Sequence, residues 1–292
     1  PASSLVVLGS SNTDMIVRTR TLPRPGETVL GGEFITAAGG KGANQAVAAR
    51  RAGGSVSFIA RIGSDALGDQ SLASWRSEGI DVTHVTRDAK AASGVALILV
   101  DEKGENSIAV AGGANQRLTP AHVRKAANVI RGAHTLLMQL ETPLPTIQAA
   151  AEIAAKSGVR VILNPAPAQA LPAELLRQLT IITPNETEAE TLTGIRVRSE
   201  KDCHRAANAL QKAGVRHVII TLGARGASAG PTDPTAAGDP FNGALAVAPG
   251  ENPPLPEAIR FANAAAALSI TRLGAQPSAP KRREIVALLR RG

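Results

Sequence analysis

Short, continuously apolar runs alternate with longer segments of helical periodicity through most of the chain. The apolar runs fall at residues 5–9, 56–60, 136–140, 160–163, 181–183 and 217–221. Strands covered on both faces need such runs. Between them lie 41–51, 68–78, 120–131, 143–156, 187–192 and 201–213, most of them long enough to cross back over a sheet. The repeated β-α-β order predicts an α/β fold: a doubly wound, mainly parallel sheet flanked by helices. Toward the end the pattern changes, and 255–271 and 284–290 read as two helices, the first long and Ala-rich.

Two segments, about 15–36 and 93–110, break the alternation. Each holds β-like runs (15–17 and 28–35; 94–100 and 106–110) separated by turn residues such as Pro23-Arg-Pro-Gly26 and Asp101-Glu-Lys-Gly104. They predict hairpins outside the main sheet, which would serve as a lid, as a dimer surface or simply as sheet edges.

Composition narrows the function classes. The chain has 292 residues, enough for one large α/β domain or two smaller ones. No apolar run approaches the roughly 20 residues needed to cross a bilayer. Cys203 is the sole cysteine, so no internal disulfide is possible. With no charged leader before Leu5, the expected location is the cytoplasm. The net charge is +8, but basic residues are spread along the chain apart from 281–283 and 290–291. Tyr is absent and other aromatics are few, so base-stacking platforms, and nucleic acid as a partner, are not expected.

Candidate chemistry gathers around Pro234-Thr-Ala-Ala-Gly-Asp-Pro-Phe-Asn242. Ala236, Ala237 and Gly238 lead into Asp239, and an apolar, helix-like run follows. Free N–H groups at a helix start bind anions. An acid beside them suits a reaction in which it takes a proton while the N–H groups hold developing negative charge, as phosphoryl transfer to a hydroxyl requires. Gly39-Gly-Lys-Gly-Ala-Asn-Gln45 opens a second helix. It fails the phosphate-loop spacing, since Gly42 follows Lys41 where Ser or Thr belongs. Small residues with an ammonium and an amide (Gly40, Lys41, Asn44) fit a polyol better. Asn12 and Asp14 follow the first apolar run, where they would bind vicinal hydroxyls or form an Asx turn. Glu141 stands after another run, as a ligand or a helix cap. Asn185-Glu-Thr-Glu188 reads as a helix N-terminus with acids favourable to its dipole, or as a polar pair at a strand end that would organise Mg²⁺ and phosphate through water. Thr221-Leu-Gly-Ala-Arg-Gly226 is a Gly-punctuated turn suited to covering phosphates or adenine. The five histidines show no metal-ligand spacing.

These motifs, in this order, together with Met138-Gln-Leu-Glu141, Asn164-Pro-Ala-Pro167 and Gly274-Ala-Gln-Pro-Ser278, resemble the pfkB-type carbohydrate kinase family, in particular its ribose-phosphorylating members. The resemblance runs from Leu5 to about Leu289 and implies a single kinase domain over 1–292 with a small β-sheet lid. It implies that Asn12, Asp14, Gly40, Lys41, Asn44 and Glu141 bind D-ribose, and that Asp239 is the base for its 5-hydroxyl. The N–H groups of Ala236, Ala237, Gly238 and Asp239 would form the anion hole. Asn185, Thr221, Gly223, Gly226, Gly238 and Asn263 would line the ATP site. Glu188 would hold Mg²⁺ through water. Asp233, Thr235, Ser269, Arg272, Gly274 and Ser278 would surround K⁺. The lid implies a homodimer.

Two features depart from the family pattern. Only six residues separate Gly226 from Asp233, and Pro240 follows the proposed base, where it removes one N–H. Two further readings therefore stand beside a ribose kinase: a kinase for another pentose or a nucleoside, such as deoxyribose, and a catalytically weak sugar-binding protein on the same fold.

Overall fold

The computed structural model of the chain describes residues 4–222, 238–248, 254–272 and 274–291. The chain opens with strands β1 (Ser4–Leu8), β2 (Asn12–Arg18) and β3 (Glu33–Gly39), then helix α1 (Lys41–Arg51). β4 (Ser55–Gly63), α2 (Ala66–Ser77), β5 (Val85–Asp88), β6 (Gly94–Val100) and β7 (Asn106–Ala111) follow. A 3₁₀ turn (Gly113–Arg117), α3 (Pro120–Lys125) and α4 (Ala127–Arg131) lead to β8 (Thr135–Met138) and α5 (Leu144–Lys156). Next come β9 (Arg160–Leu163), α6 (Ala173–Gln178), β10 (Ile181–Ile182), α7 (Glu186–Thr193), α8 (Glu200–Lys212) and β11 (His217–Val218). The last elements are α9 (Gly238–Val247), α10 (Leu255–Ser269), α11 (Ala275–Ser278) and α12 (Arg282–Leu289).

Among the described residues the main sheet has seven strands, ordered β11-β10-β9-β8-β1-β4-β5. Every pairing in it is parallel. The expected doubly wound α/β fold is the observed one. Its central strands bear apolar side chains on both faces, with Val7 and Leu137 in one core layer and Leu8 and Met138 in the other. Helices cover both layers, so the central strands β1, β8 and β9 are shielded on both faces.

A second sheet, β3-β2-β6-β7, stands apart. β2 and β3 form one antiparallel hairpin and β6 and β7 another. A parallel β2–β6 pairing joins them. That joint was not legible in the sequence, because it links segments about 80 residues apart. The bounds also shift: β2 begins at Asn12 rather than near 15, and the run at 28–35 becomes a strand only from Glu33. Asn12 and Asp14 are therefore strand residues at the root of this sheet, not an Asx turn after β1. The predicted helix at 120–131 is two short helices meeting at Ala126.

Helix α1 is buried on nearly all sides, since Gly42 through Ala49 are all buried. Its small residues let α9 cross it closely. A Cβ on Gly243 would lie 2.7 Å from Ala48 Cβ and 2.8 Å from the Gln45 carbonyl. This close crossing sets the start of α9 against the start of α1.

Candidate active site

The start of α9 is where the chemistry converges. Asp239 lies in its first turn, and the carboxylate is buried. Asn44 Nδ2 donates to Asp239 Oδ2 at 3.0 Å, and Gln45 Nε2 donates to Oδ1 at 2.8 Å. Both donors come from the first turns of α1. Burial pushes the Asp239 carboxyl up, with Glu141 adding to the shift, while Lys41 and the two amides pull it down. Gly238 opens the helix, and a Cβ there would meet nothing within 4 Å among the described residues. The backbone N–H groups of a first helical turn lack intrahelical acceptors. Pro240 sits third in α9, within that turn, so the N–H it lacks costs no intrahelical bond.

The loop before α1 depends on two glycines. Gly40 is at φ 85, and a Cβ on it would come within 2.6 Å of the Asn12 amide nitrogen. A Cβ on Gly42 would come within 2.5 Å of the Ser10 nitrogen. The chain after β1 and the start of α1 therefore touch backbone to backbone. Glu141 closes this junction: its Oε2 accepts from the Lys41 amide at 2.9 Å and from the Ser10 hydroxyl. An acid at a helix start is favoured by the helix dipole. Glu141 thus braces α1, and α5, the helix nearer in sequence, is capped by Pro143.

Asp14 contrasts with Asp239. It is largely buried, and among the described residues no donor reaches its carboxylate. Burial raises its pKa to about 6, with Glu141 and Asp239 adding repulsion. Asn44 Oδ1 is buried without a partner among the described residues. The Lys41 ammonium makes no ion pair among the described residues, though its charge acts on Asp239 and Glu188. A carboxylate, an amide oxygen and an ammonium left unpaired near Asp239 form a set of acceptors and donors suited to a polyhydroxylated ligand. Asn12 is held by Asn115, whose Nδ2 donates to Asn12 Oδ1 at 2.9 Å and to the Ser11 carbonyl at 2.9 Å.

On the far side, Asn185 caps α7. Its Oδ1 accepts from the Glu188 amide at 2.8 Å, and Glu188 Oε2 accepts from the Asn185 amide at 2.9 Å. Burial raises the Glu188 pKa, Asp239 adds to it, and the Asn185 amide and Lys41 oppose it. Thr221 bridges to Asn185 in parallel, and its amide donates to the Pro184 carbonyl at 2.9 Å. Asn263 is exposed on α10. Ser269 and Ser278 are fully buried, and their hydroxyls donate to the Ala266 and Ala275 carbonyls at 2.7 and 2.9 Å. Gly274 precedes α11 at φ 83, and Arg272 pairs with Glu284. Gly223, Gly226, Asp233, Thr235, Ala236 and Ala237 lie outside the described residues, as does the short 227–232 passage.

A second tier of polar residues was missed in the sequence. Gln45, Gln139, Asn164, Thr183 and Asn242 are buried and linked to one another and to Asp239. Gln45, Gln139 and Asn164 stand inside motifs quoted above, but nothing in a linear string says which motif residues face each other.

The pfkB family carbohydrate kinase model matches residues 2–282. Over 300 aligned positions the chain is 46% identical to the ribokinase of Haemophilus influenzae, covering 98% of each. It is 34% identical to a deoxyribokinase of Salmonella typhi, covering 94% of this chain and 95% of that one. The ribokinase of Arabidopsis thaliana, solved with ribose and ATP bound, superposes with a TM-score of 0.93 at 34% identity, covering 99% of both chains.

Proposed function

The chain belongs to the pfkB family of carbohydrate kinases, and within that family we propose that it phosphorylates D-ribose at O5, consuming ATP and releasing D-ribose 5-phosphate and ADP. One observation carries this reading: a buried carboxylate at a helix start, bracketed by two amides, faced by unpaired hydroxyl-binding groups. Its relatives named for ribose support the choice of sugar.

Asp239 takes the proton of the attacking hydroxyl. The first-turn N–H groups of α9, at Gly238 and Asp239 together with those of Ala236 and Ala237, receive the negative charge that develops on the transferring phosphoryl group. Asn12, Asp14, Gly40, Lys41, Asn44 and Glu141 hold the sugar, with Asp14 accepting from hydroxyls that satisfy its bare carboxylate. Asn185, Thr221, Gly223, Gly226 and Asn263 line the nucleotide side, where the Asn185–Thr221 bridge ties two of them together.

The residues present fit two cations. Glu188 keeps an oxygen lone pair beyond its capping bonds, and its raised pKa marks a carboxylate that gains from a nearby positive charge. The hydroxyl oxygens of Ser269 and Ser278 likewise keep lone pairs beyond the hydrogen bonds they donate. Glu188 would hold Mg²⁺ through water, and Ser269, Arg272, Gly274 and Ser278 would hold K⁺ together with Asp233 and Thr235. When bound, these ions supply positive charge beside the phosphoryl group.

The four-stranded sheet acts as lid and dimer surface. Register puts Asp14, Ala96 and Val110 on one face with Ile16, Ile98 and Ile108. Closing that apolar face over the sugar excludes water, which would otherwise compete as acceptor. Phe34 and Leu97 lie on the opposite face and are 62% and 55% exposed. A homodimer that pairs this face with its copy would cover them.

The test is ADP production with and without D-ribose, in K⁺ and in Na⁺ buffer. ADP release that needs ribose and rises in K⁺ agrees with the proposal. Ribose binding by calorimetry without ADP release would replace it with a sugar-binding protein. The deoxyribokinase relative favours one other reading, 2-deoxyribose as substrate, which a higher kcat/KM on that sugar than on ribose would establish.

A further inference from the structure

Behind the proposed base lies an amide whose two N–H groups and oxygen all have partners. Gln45 Nε2 donates to Asp239 Oδ1 at 2.8 Å and to Asn164 Oδ1 at 3.0 Å. Its Oε1 accepts from Gln139 Nε2 at 2.7 Å. Gln45 and Gln139 are fully buried. Rotating the Gln45 amide by half a turn would set its oxygen against both the Asp239 carboxylate and the Asn164 oxygen. It would also set its NH₂ against the NH₂ of Gln139. One orientation is therefore fixed, and keeping it leaves Gln139 Oε1 buried without a partner. An unpaired buried oxygen is destabilising, because its lost hydration is not replaced.

The same network reaches the helix start by a second route. Asn164 Nδ2 donates to the Thr183 carbonyl at 3.4 Å, Thr183 Oγ1 donates to Asn242 Oδ1 at 2.6 Å, and Asn242 Nδ2 donates to the Gly238 carbonyl at 2.8 Å. Gln139, Asn164 and Thr183 each directly follow a main-sheet strand, β8, β9 and β10 in turn. Three strand ends thus hold both the carboxylate and the helix turn that carries it.

We propose that Gln45 is a positioning residue for phosphoryl transfer: locked by Gln139 and Asn164, it fixes the Asp239 carboxylate and favours its ionised form. This rests on Asp239 being the base. A donor to a carboxylate stabilises the charged state. Several groups act on that charge: Lys41 at the start of α1, Glu141 after β8, Asp14 on β2 and Glu188 on α7. Glu141, Asp14 and Glu188 oppose ionisation and Lys41 supports it, so the donated bonds of Gln45 and Asn44 bear directly on the balance. Without Gln45, protons would hold the base to a higher pH, and activity would fail first on the acid side.

The experiment compares pH profiles of kcat at saturating ribose for the unaltered enzyme and for Gln45→Met and Gln139→Met, two replacements of similar volume. Saturating sugar removes the contribution of Asp14 to binding. Expected for Gln45→Met is a kcat at pH 6 reduced about tenfold more than at pH 8.5, the size of one lost charge-assisted hydrogen bond. Ribose KM stays within about threefold, as for a residue that does not touch the sugar. Gln139→Met shifts the acid limb the same way by less, and it decides alone if Gln45→Met does not fold. A parallel fall of kcat at all pH values, with the acid limb unmoved, overturns the proposal. Asp239→Asn, run alongside, separates the two readings: its retained turnover would remove the base itself, whereas an inactive Asp239→Asn with unmoved limbs removes only the role of Gln45.

Discussion

Two carboxylates lie near enough for the charge of Asp239 to act on Asp14, and their surroundings differ. Asp239, on the main domain, is bracketed by amides from Asn44 and Gln45 and backed by a network that ends on three strands. Asp14, on the small sheet, is largely buried with no donor among the described residues, and its pKa rises to about 6. In the first, two donated hydrogen bonds offset part of a burial cost that still leaves the carboxyl raised. The second pays for its charge until hydroxyl groups reach it. A base must be ionised and aimed at the moment of reaction, and the two bracketing amides suit Asp239 to that proposed role. A binding acid, the role proposed for Asp14, gains by leaving its hydrogen-bonding capacity for the ligand.

Removing the bracketed carboxylate has the largest expected effect. Asp239→Asn lowers kcat about 10²–10⁴-fold, the range for loss of a general base, while calorimetry still detects ribose. Unchanged turnover would end the catalytic assignment.

Asp14→Asn probes the other side. Losing a charged acceptor raises ribose KM about 10- to 100-fold. The folded-state pKa lies above the ordinary value of 3.8. Asp14 therefore favours the fold most below about pH 4, and this contribution is lost as pH rises through about 6. The Asn variant escapes that loss and melts about 2–6 °C higher at pH 7.5, with the gain vanishing near pH 4. Ribose affinity of the unaltered enzyme weakens as pH falls below about 6, and the variant shows no such step. A variant that melts lower at pH 7.5 would mean that Asp14 is paired.

The lid face gives a smaller effect on rate and a clear one on assembly. Phe34→Glu places a charge on the apolar face opposite Asp14. Sedimentation should then show monomer where the unaltered chain shows dimer, with kcat/KM reduced about 3- to 10-fold through weaker closure. An unaltered chain that sediments as monomer at micromolar concentration would remove the dimer proposal. Smallest is Pro240→Thr, expected to change kcat less than about threefold because the missing N–H lies in a turn whose donors have no helical acceptor. A gain above about tenfold would show that Pro240 limits the anion hole.

The parallel α/β order and the two hairpins follow from the sequence, because they rest on local quantities: apolar runs of strand length and turn residues. Lys41 and Asn44 were expected beside a polyol from residue type at a helix start, and Glu141 from its place after a strand. Other features needed the folded chain. The parallel β2–β6 joint puts Asn12 and Asp14 on the small sheet, and no local pattern records which distant hairpins pair. The crossing at Gly243 aims Gln45 at Asp239, residues 194 positions apart. Gln139, Asn164 and Thr183 read as ordinary polar residues after strands until the sheet order sets β8, β9 and β10 side by side. A sequence fixes which groups are available and which segments they stiffen. Which buried amide meets which carboxylate depends on long-range packing, and here that packing brackets Asp239 with two amides and leaves Asp14 without a donor among the described residues.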